Sequence, residues 1–329
     1  MKHFSPAVET VFGRDVAPGG RKPAAPAKAQ PAALSAAMSV NDAFKVVIRA
    51  GLAHLHANEH GMLASADPEY LHQMRVALRR LRSALDVFAP FLPETAAARL
   101  VAELKWLASS LGPARDWDVF VTETLPSIRT DSGRHAAIAA FGGQCIRLRR
   151  AARRKAQRAV ASQRYRRFSC SLAGRFTAQV RLVQLDEAKR AALAAPARKF
   201  ASLVLEERYD RVCKRGHRLA QLSSAELHRL RIAVKKFRYA ADFFAGLYDT
   251  KAVRETLKRL SRLQNILGAM NDAATAANLM AHGFDGAPDR CTLEAKGILL
   301  GWSRGREATL RRGLKSAWKA FGAAGRFWQ

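Results

Sequence analysis

The chain has 329 residues, of which 49% are hydrophobic, so it is long and apolar enough to fold around a core and is not a wholly disordered segment. Its 56 lysine and arginine residues against 27 aspartate and glutamate residues give a net charge of +29, which favours polyanions such as nucleic acid, polyphosphate or an acidic membrane surface as partners. Its scattered cysteines form no C-x-x-C pair, which argues against a zinc ribbon or a disulfide framework. The cysteines are Cys145, Cys170, Cys213 and Cys291.

The N-terminal region is predicted to lie outside the folded body. MKHFSPAVETVFGRD has no apolar run of the kind found in a signal peptide, and no stretch of about 18 apolar residues occurs in the sequence, so we expect a cytoplasmic protein. Residues 19–38 are rich in proline, alanine and glycine and cannot bury a helical face. Residues 1–39 are therefore predicted to form a flexible arm or linker.

Helix signals cover almost the whole sequence from Val40 onwards. Asp67 followed by Pro68 predicts a helix start, and Ser223 with Glu226 predicts a capping box. No stretch shows sustained two-residue alternation with β-branched residues, so we predict no strands and an all-α fold. The helices are predicted at about residues 40–59, 68–91, 94–111, 113–124, 134–182, 196–214, 224–247, 250–267, 269–281 and 289–321, with a break in 134–182 near Arg164 or Gly174.

The sequence contains an internal repeat. HQMRVALRRLRSALDVF at residues 72–88 returns as HRLRIAVKKFRYAADFF at residues 228–244, an offset of 156 residues. The same offset relates Phe44 to Phe200, Leu107 to Leu263, Leu111-Gly112 to Leu267-Gly268, and Asp116 to Asp272. A period this long is not a solenoid repeat but a duplicated multi-helix unit. We therefore predict two similar helical bundles about a pseudo-twofold axis, the first at about 40–195 and the second at about 196–322.

Each copy of the repeat predicts an apolar stripe and a basic row on one helix, at about 100° per residue. The stripes are Met74, Leu78, Leu81, Leu85 and Phe88 in the first copy, and Leu230, Val234, Phe237, Ala241 and Phe244 in the second. The basic rows are His72, Arg75, Arg79 and Arg82 in the first copy, and His228, Arg231, Lys235 and Arg238 in the second. Ten residues of helix extend about 15 Å, so each row can face several successive charges of an extended polyanion.

The basic rows are either solvated helix faces or binding surfaces. A solvated face normally mixes both signs of charge, whereas Asp86 is the first acid after His72 and Asp242 is the first after His228. Like charges at these spacings repel, so the rows raise the free energy of folding unless a ligand or distant carboxylates neutralise them. Arginine also makes forked contacts with phosphate oxygens. The pattern favours binding.

Further cations and a polar corner accompany the basic rows. Arg80 and Lys236 occupy another helix face and can contact the ligand only if the opposing bundle closes over them. A further row, for which a solvated face is an equal alternative, consists of Arg147, Arg150, Arg154 and Arg158. Gly112 and Gly268 are predicted to end helices, and Asp116 and Asp272 either cap the following helices or pair with the row cations.

The sequence gives little support for an enzyme. His56, Glu59 and His60 lack the H-E-x-x-H order of a zinc site, and no Walker A loop or dinucleotide-binding fingerprint occurs. A phosphohydrolase would need acidic metal ligands, for which Asp116, Asp118 and Asp272 are the candidates. A nucleic-acid-binding protein is the main alternative to a polyphosphate-binding one, but the aromatic residues near the rows fall on the apolar stripes.

The two copies resemble the CHAD family, the conserved histidine α-helical domain. The resemblance rests on His72-Gln-Met-Arg75-Val-Ala-Leu-Arg79-Arg80-Leu-Arg82, on the element from Leu111 to Asp116, and on the second copy, and it covers residues 40–322. It implies a pseudo-twofold pair of bundles that binds inorganic polyphosphate along basic helices and a central pore, without a cofactor, and that associates with polyphosphate granules. The implied ligand-binding residues are those of the basic rows with Arg80 and Lys236, to which we add Arg150 and Arg154.

The second copy departs from the first at two positions of this pattern. Asn271 stands where the first copy has Arg115, and Ala274 stands where it has Asp118. Many family members also carry an N-terminal CYTH domain with an alternating glutamate-x-glutamate-x-lysine strand, and no such strand occurs here. Residues 13–38 resemble the tether that follows a CYTH domain, so the chain is interpreted either as a CHAD-only form or as a piece of a longer CYTH-CHAD protein.

Overall fold

The computed structural model describes residues 23–132, 136–177, 186–282 and 290–329. Within these ranges the chain forms helices and no strand, and an isolated β-bridge joins Ser39 and Pro196. The predicted all-α fold class is confirmed. Residues 1–22 of the predicted arm lie outside the described residues.

The helices follow one another closely along the chain. In order they are α1 (Val40–His56), α2 (Glu59–Ala64), α3 (Pro68–Val87), α4 (Glu94–Val119), α5 (Leu125–Ser132), α6 (Ala136–Ala161), α7 (Gln163–Thr177), α8 (Glu187–Ala194), α9 (Ala197–Gly216), α10 (Ser224–Phe244), α11 (Thr250–His282) and α12 (Arg290–Gly322). A single π-helical turn, Phe120–Thr124, joins α4 to α5. The basic rows lie on α3 and α10.

The two helices that carry the basic rows begin where the sequence predicts. The side chain of Asp67 accepts a hydrogen bond from the backbone N–H of Glu69, and Pro68 occupies the first helical position of α3. At α10, the Ser223 hydroxyl accepts a hydrogen bond from the Glu226 N–H, and the Glu226 carboxylate accepts one from the Ser223 N–H. These caps satisfy backbone groups that would otherwise lack partners at the start of each helix.

The prediction that Gly112 and Gly268 end helices is wrong. Helix α4 continues through Gly112 and Pro113 to Val119, and α11 continues through Gly268 to His282. Burial outweighs the local signal, because the apolar stripe of α4 runs without interruption through Leu107, Leu111, Ala114 and Trp117. A Cβ added at Gly112 would lie 3.5 Å from Arg75 Nη1, which is an ordinary van der Waals contact, so the space around this position does not require glycine. Asp116 and Asp272 consequently lie inside helices and cap nothing.

The long helix predicted at 134–182 is two helices. Helix α6 ends at Ala161 and α7 begins at Gln163, so the break lies at Ser162, close to the first of the two predicted positions. The Ser162 hydroxyl accepts a hydrogen bond from the Tyr165 N–H and so caps the start of α7. Residues 134–135 and 178–182 of this prediction lie outside the described residues.

The core is built from the apolar stripes of α3 and α10. All ten stripe residues are buried, which confirms their predicted place. An aromatic cluster joins the two halves, with ring centroids 6.3 Å apart for Phe88 and Phe244. Phe44 contacts Phe88 in a tilted arrangement, with ring centroids 5.0 Å apart. Phe200, its equivalent in the repeat, contacts Phe244 edge to face at 6.1 Å. Aromatic contacts at these distances add to the free energy gained by burial.

The described part of the N-terminal segment, residues 23–38, packs against the helices. Ala32 and Leu34 are buried, and the Leu34 carbonyl lies 2.8 Å from the place where a side chain at Gly246 would begin. The Tyr70 hydroxyl donates a hydrogen bond of 2.6 Å to the Ala24 carbonyl, and Asn58 donates one to the Ala27 carbonyl. These contacts tie the segment to α2, α3 and the turn after α10.

Equivalent residues of the two copies form reciprocal contacts. Arg80 on α3 pairs with Asp242 on α10, and Lys236 on α10 pairs with Asp86 on α3. Arg80 corresponds to Lys236, and Asp86 to Asp242, by the same offset of 156 residues. Such exchange of partners is what a local twofold axis between α3 and α10 would produce. The full arrangement of two duplicated bundles stays a prediction.

Candidate functional site

Packing of α3 against α10 brings the two basic rows together. Arg79 Nε on α3 donates a hydrogen bond of 3.1 Å to the Tyr239 hydroxyl on α10. Arg79 also lies near Arg231 and Lys235, and its positive charge contributes to the lowered pKa of both. The rows are more than 150 residues apart in the chain, but four of their cations interact in the fold. These four are here called the central basic cluster: Arg75, Arg79, Arg231 and Lys235.

The central basic cluster holds its charges close together in a partly buried place. Burial, followed by the charge of Arg79, lowers the pKa of Arg75 to about 10. Burial, followed by the charges of Arg231 and Arg79, lowers the pKa of Lys235 to about 7. No member of the cluster forms a salt bridge with a carboxylate of the described residues. Asp116 and Asp272 offset part of the repulsion among these cations, and an anion placed here would relieve more of it.

Two members of the cluster, Arg75 and Arg79, are held by neutral hydrogen-bond partners. Arg75 Nη1 donates a hydrogen bond of 2.9 Å to the carbonyl oxygen of Ala108 on α4, beside Gly112. Tyr239 accepts from Arg79, as described above. These partners orient the guanidinium groups without neutralising them, which is a feature of preorganised anion sites.

Two aspartates lie behind the cluster at the contact of α4 with α11. Asp116 and Asp272 line a small cavity of about 20 Å³ together with Thr124 and Thr275. Burial raises the pKa of Asp116, and the neighbouring Asp272 adds to this effect, although Arg75 opposes it. The interaction of Asp116 with Arg75 agrees with the predicted alternative that these aspartates hold the row cations in place.

The histidines that open the rows have different surroundings. Burial, followed by the charge of Arg115, lowers the pKa of His72 to about 4, so this imidazole is neutral at pH 7. His228 is exposed, and its Nδ1 lies 3.1 Å from Oδ1 of Asn271, the residue that replaces Arg115 in the second copy. Sequence reasoning missed Arg115 as a neighbour of His72, although Arg115 belongs to the element that ends at Asp116.

Arg80 and Lys236 lie in the contact between α3 and α10. Arg80 is buried, donates to Asp242 at 3.4 Å and lies over the ring of Phe243. Lys236 pairs with Asp86 at 3.2 Å, and Asp86 also accepts from Arg208 at 2.7 Å. The opposing helix buries Arg80 but leaves the Lys236 side chain 38% exposed, and each cation has a carboxylate partner. Their role in ligand binding stays a prediction.

The remaining predicted cations lie at the edges of this surface or away from it. Arg82 is exposed, and Arg238 donates a hydrogen bond of 3.3 Å to Gln264. Arg150 and Arg154 are exposed on α6. Between them on the helix, Arg153 turns inward and donates to the Ser65 carbonyl at 2.6 Å. Among the described residues, no hydrogen bond or salt bridge joins Arg150 or Arg154 to α3 or α10. Their assignment to the ligand also stays a prediction.

The histidine-rich stretch after α1 is used for packing contacts. His56 Nε2 lies 2.7 Å from the Ser169 hydroxyl, and Glu59 accepts a hydrogen bond from the Tyr165 hydroxyl. Among the described residues, no group of three or more histidine, cysteine or acidic side chains is arranged to hold a metal ion. In the same ranges, every helix is too short or too polar to cross a membrane.

The family can now be identified from the repeated rows, their convergence and a sequence comparison. The family model of the CHAD domain matches residues 46–281. The chain belongs to the CHAD family. The resemblance of the two row motifs to this family is thereby confirmed. No curated protein sequence matches the chain.

Two solved structures have the same fold. The CHAD domain from the plant Ricinus communis superposes with a TM-score of 0.79 at 32% identity, over 92% of this chain and 98% of that one. PptA from Streptomyces chartreusis superposes with a TM-score of 0.65 at 20% identity, over 86% of this chain and 100% of that one. At this lower identity the second match indicates a shared fold and nothing about function. Together they place the basic rows of this protein on a CHAD scaffold.

Proposed function

We propose that this CHAD protein binds inorganic polyphosphate along the basic faces of α3 and α10 and performs no catalysis on it. The observation that carries the proposal is the central basic cluster, in which four cations from two repeats meet without a carboxylate partner among the described residues. The ligand-binding residues are proposed to be His72, Arg75, Arg79, Arg80, Arg82, His228, Arg231, Lys235, Lys236 and Arg238, with Arg150 and Arg154 further out.

Charge placement within the α3–α10 pair supports a bound anion. At one end of the pair, Asp86 and Asp242 neutralise Lys236 and Arg80. Toward the other end, the cluster has only neutral hydrogen-bond partners and the more distant Asp116 and Asp272. A linear chain of phosphates supplies negative charges at regular intervals, which suits two rows of cations that each extend about 15 Å.

The surroundings of the cluster favour polyphosphate over nucleic acid. Proteins that bind single strands stack bases on exposed aromatic rings between their cations. Here Phe88, Phe237 and Phe244 are fully buried in the core, and the nearby Tyr239 is tied to Arg79 through its hydroxyl. The nucleic-acid alternative therefore rests on charge alone.

A binding role also fits the acidic residues better than hydrolysis does. A phosphohydrolase of the kind considered above would assemble Asp116, Asp118 and Asp272 as metal ligands. Asp118 is instead buried at 1% exposure, and its Oδ1 accepts a hydrogen bond of 2.6 Å from Arg149 Nε. We further propose that the bound polymer places the protein at polyphosphate granules in the cytoplasm.

Competition binding tests the proposal. The full chain is titrated with polyphosphates of several lengths and with mixed-sequence DNA and RNA at equal phosphate concentration, across a salt series. Polyphosphate is expected to bind more tightly than either nucleic acid, because no group in the cluster reads a base. Binding is expected to weaken steeply with salt, since several counterions are released. Equal or tighter binding of DNA or RNA contradicts the ranking and favours the nucleic-acid alternative.

A further inference from the structure

A cavity beside the central basic cluster has no role in the function proposed above. It lies among α10, α11 and α12 and has a volume of about 240 Å³. Arg231 and His228 form part of its wall, and much of the rest is apolar: Leu227, Leu267, Met270, Ala273 and Ala277.

On the α11 side, the cavity is lined by a residue that replaces a carboxylate of the first copy. In the first copy, the buried carboxylate of Asp118 on α4 pairs with Arg149 on α6. The equivalent of Asp118 is Ala274, which lines the cavity. The replacement removes a carboxylate from α11 and opens space toward α12.

The opposite wall shows the matching loss on α12. Aligning the buried residues Phe141 and Cys145 of α6 with Ala295 and Leu299 of α12 gives an offset of 154 residues in this part of the repeat. The same offset places Ser303 where the first copy has Arg149. Ser303 lines the cavity, and its buried hydroxyl has no hydrogen-bond partner among the described residues. Both members of the ion pair are therefore replaced by small side chains.

The charges of the wall favour an anion at one end of the cavity. Arg231 forms no hydrogen bond or salt bridge with the described residues, and its Nε is buried without a partner. Arg304 adds a second positive charge, whereas Glu307 is paired with Arg311 at 3.0 Å. Arg231 is half-buried, and the charge of Asp272 favours its charged form without a salt bridge. A bound anionic group would supply the hydrogen-bond partner that its Nε lacks.

We infer that this cavity binds a small organic phosphate, with the phosphate group at Arg231 and His228 and an uncharged, largely apolar body against the alanine and leucine side chains. A bare polyphosphate chain does not suit the apolar wall, since it would lose hydration there without gaining hydrogen bonds. An apolar pocket with a few convergent polar groups is the usual form of a small-molecule site. Aryl phosphates and nucleoside monophosphates share this chemistry.

Isothermal titration of the full chain tests the inference with defined probes. The probes are inorganic phosphate, phenyl phosphate, AMP and adenosine. Phenyl phosphate or AMP is expected to bind about tenfold or more tightly than inorganic phosphate and adenosine. Only an organic phosphate has both a phosphate group for Arg231 and a body that contacts the apolar wall. The better of the two identifies the body as aryl or nucleoside. If inorganic phosphate binds as tightly as both, the apolar wall contributes nothing and the inference is wrong.

Filling the cavity locates the site. Ala274→Phe is expected to weaken binding of the better organic phosphate by about tenfold or more, whereas the same change at exposed Ala252, on α11, leaves affinity unchanged. Circular dichroism checks whether Ala274→Phe keeps its fold. If it does not, Ser303→Phe fills the cavity from the opposite wall and replaces it in the test. Unchanged affinity in a folded, filled variant overturns the inference.

A parallel titration with polyphosphate separates this inference from the proposed function. Arg231 belongs to both sites, but Ala274 belongs only to the cavity. Ala274→Phe is therefore expected to keep polyphosphate affinity while losing the organic phosphate. If the native chain binds the organic phosphate but no polyphosphate, the proposed function fails and the cavity inference stands.

Discussion

Arg80 on α3 donates a hydrogen bond of 3.4 Å to Asp242 on α10, and their equivalents in the repeat, Lys236 and Asp86, form the reciprocal pair. The two carboxylates nevertheless differ in their electrostatic balance. Burial raises the pKa of Asp242, and Arg80 does not fully offset it. Burial also acts on Asp86, but Arg208 and Lys236 together outweigh it and lower the pKa. The two repeats therefore form equivalent ion pairs, but the pKa of the carboxylate is raised in one pair and lowered in the other.

This difference predicts unequal effects of the isosteric changes Asp86→Asn and Asp242→Asn. A lowered pKa means that the Asp86 charge contributes stability above its unfolded pKa near 3.8, and that this contribution is lost as the pH falls. The raised pKa of Asp242 means that its charge contributes no such stability. Asp86→Asn is therefore expected to destabilise more than Asp242→Asn at pH 7 in denaturant unfolding. The difference in destabilisation between the two variants should become smaller below about pH 4. Equal destabilisation by both variants, at pH 7 and below pH 4 alike, would contradict the stabilising role given to the Asp86 charge.

The basic cluster should contribute to binding and not to folding. Arg75→Ala combined with Arg79→Ala and Arg82→Ala is expected to weaken polyphosphate binding while leaving the thermal midpoint unchanged or higher, because repulsion along the row is relieved. Adding Arg231→Ala, Lys235→Ala and Arg238→Ala should weaken binding further. Arg254→Ala with Lys258→Ala removes exposed cations from α11 and serves as the control.

The apolar stripe should show the opposite behaviour. Leu78 is fully buried on α3, one position before Arg79. Leu78→Ala is expected to lower the free energy of unfolding by about 2–5 kcal/mol through a core cavity, while the affinity of the folded fraction is retained. Should the arginine variants unfold and their folded fraction bind normally, the row cations are structural and the binding proposal is wrong.

Lys235 should make polyphosphate binding dependent on pH. Its pKa of about 7 leaves it largely neutral at pH 9, and bound phosphates would raise that pKa and favour proton uptake. Affinity is therefore expected to strengthen as the pH falls from about 9 to about 7, with protons taken up on binding in titrations that use buffers of different ionisation enthalpy. Lys235→Arg keeps the charge at all these pH values and should flatten the dependence; an unchanged slope would rule out Lys235 as its source.

His72 should act at lower pH than its residue type suggests. Because burial and Arg115 hold its pKa at about 4, a bound polyanion that raises this value would strengthen binding between about pH 6 and pH 4. His72→Ala is expected to remove that increase and to leave the dependence between pH 7 and pH 9 intact. The same slope in His72→Ala and in the native chain at acid pH would show that the imidazole is not a ligand.

Glu59 is expected to make the fold less stable as the pH rises. Burial, partly offset by the hydrogen bond from Tyr165, raises its pKa from 4.5 to about 7. The folded chain therefore binds more protons than the unfolded chain between these values, and stability falls as the pH rises through this window. Glu59→Gln keeps an acceptor for Tyr165 and should remove the decline. The measurement is the difference in unfolding free energy between the native chain and Glu59→Gln as a function of pH. Neighbouring His56, whose pKa burial lowers, makes both proteins more stable as the pH rises, and this contribution cancels in the difference. Exposed Glu94→Gln should leave the decline unchanged.

The sequence by itself determined the helices and the contents of the rows. Local signals suffice for this, because a cap such as that at Ser223 is formed by residues three positions apart and an apolar stripe repeats with the helix. Where a local signal conflicted with burial, as at Gly112 and Pro113, the prediction failed because long-range packing holds α4 together.

The tertiary structure alone decided which charges meet. Arg79 and Lys235 lie on different helices, and neither their proximity nor the lowered pKa of Lys235 follows from spacing along the chain. The cavity beside Arg231 also requires three helices, although the replacement of Asp118 by Ala274 is visible in the repeat. Burial and electrostatic interaction depend on distances through space, and only the packed helices fix those distances.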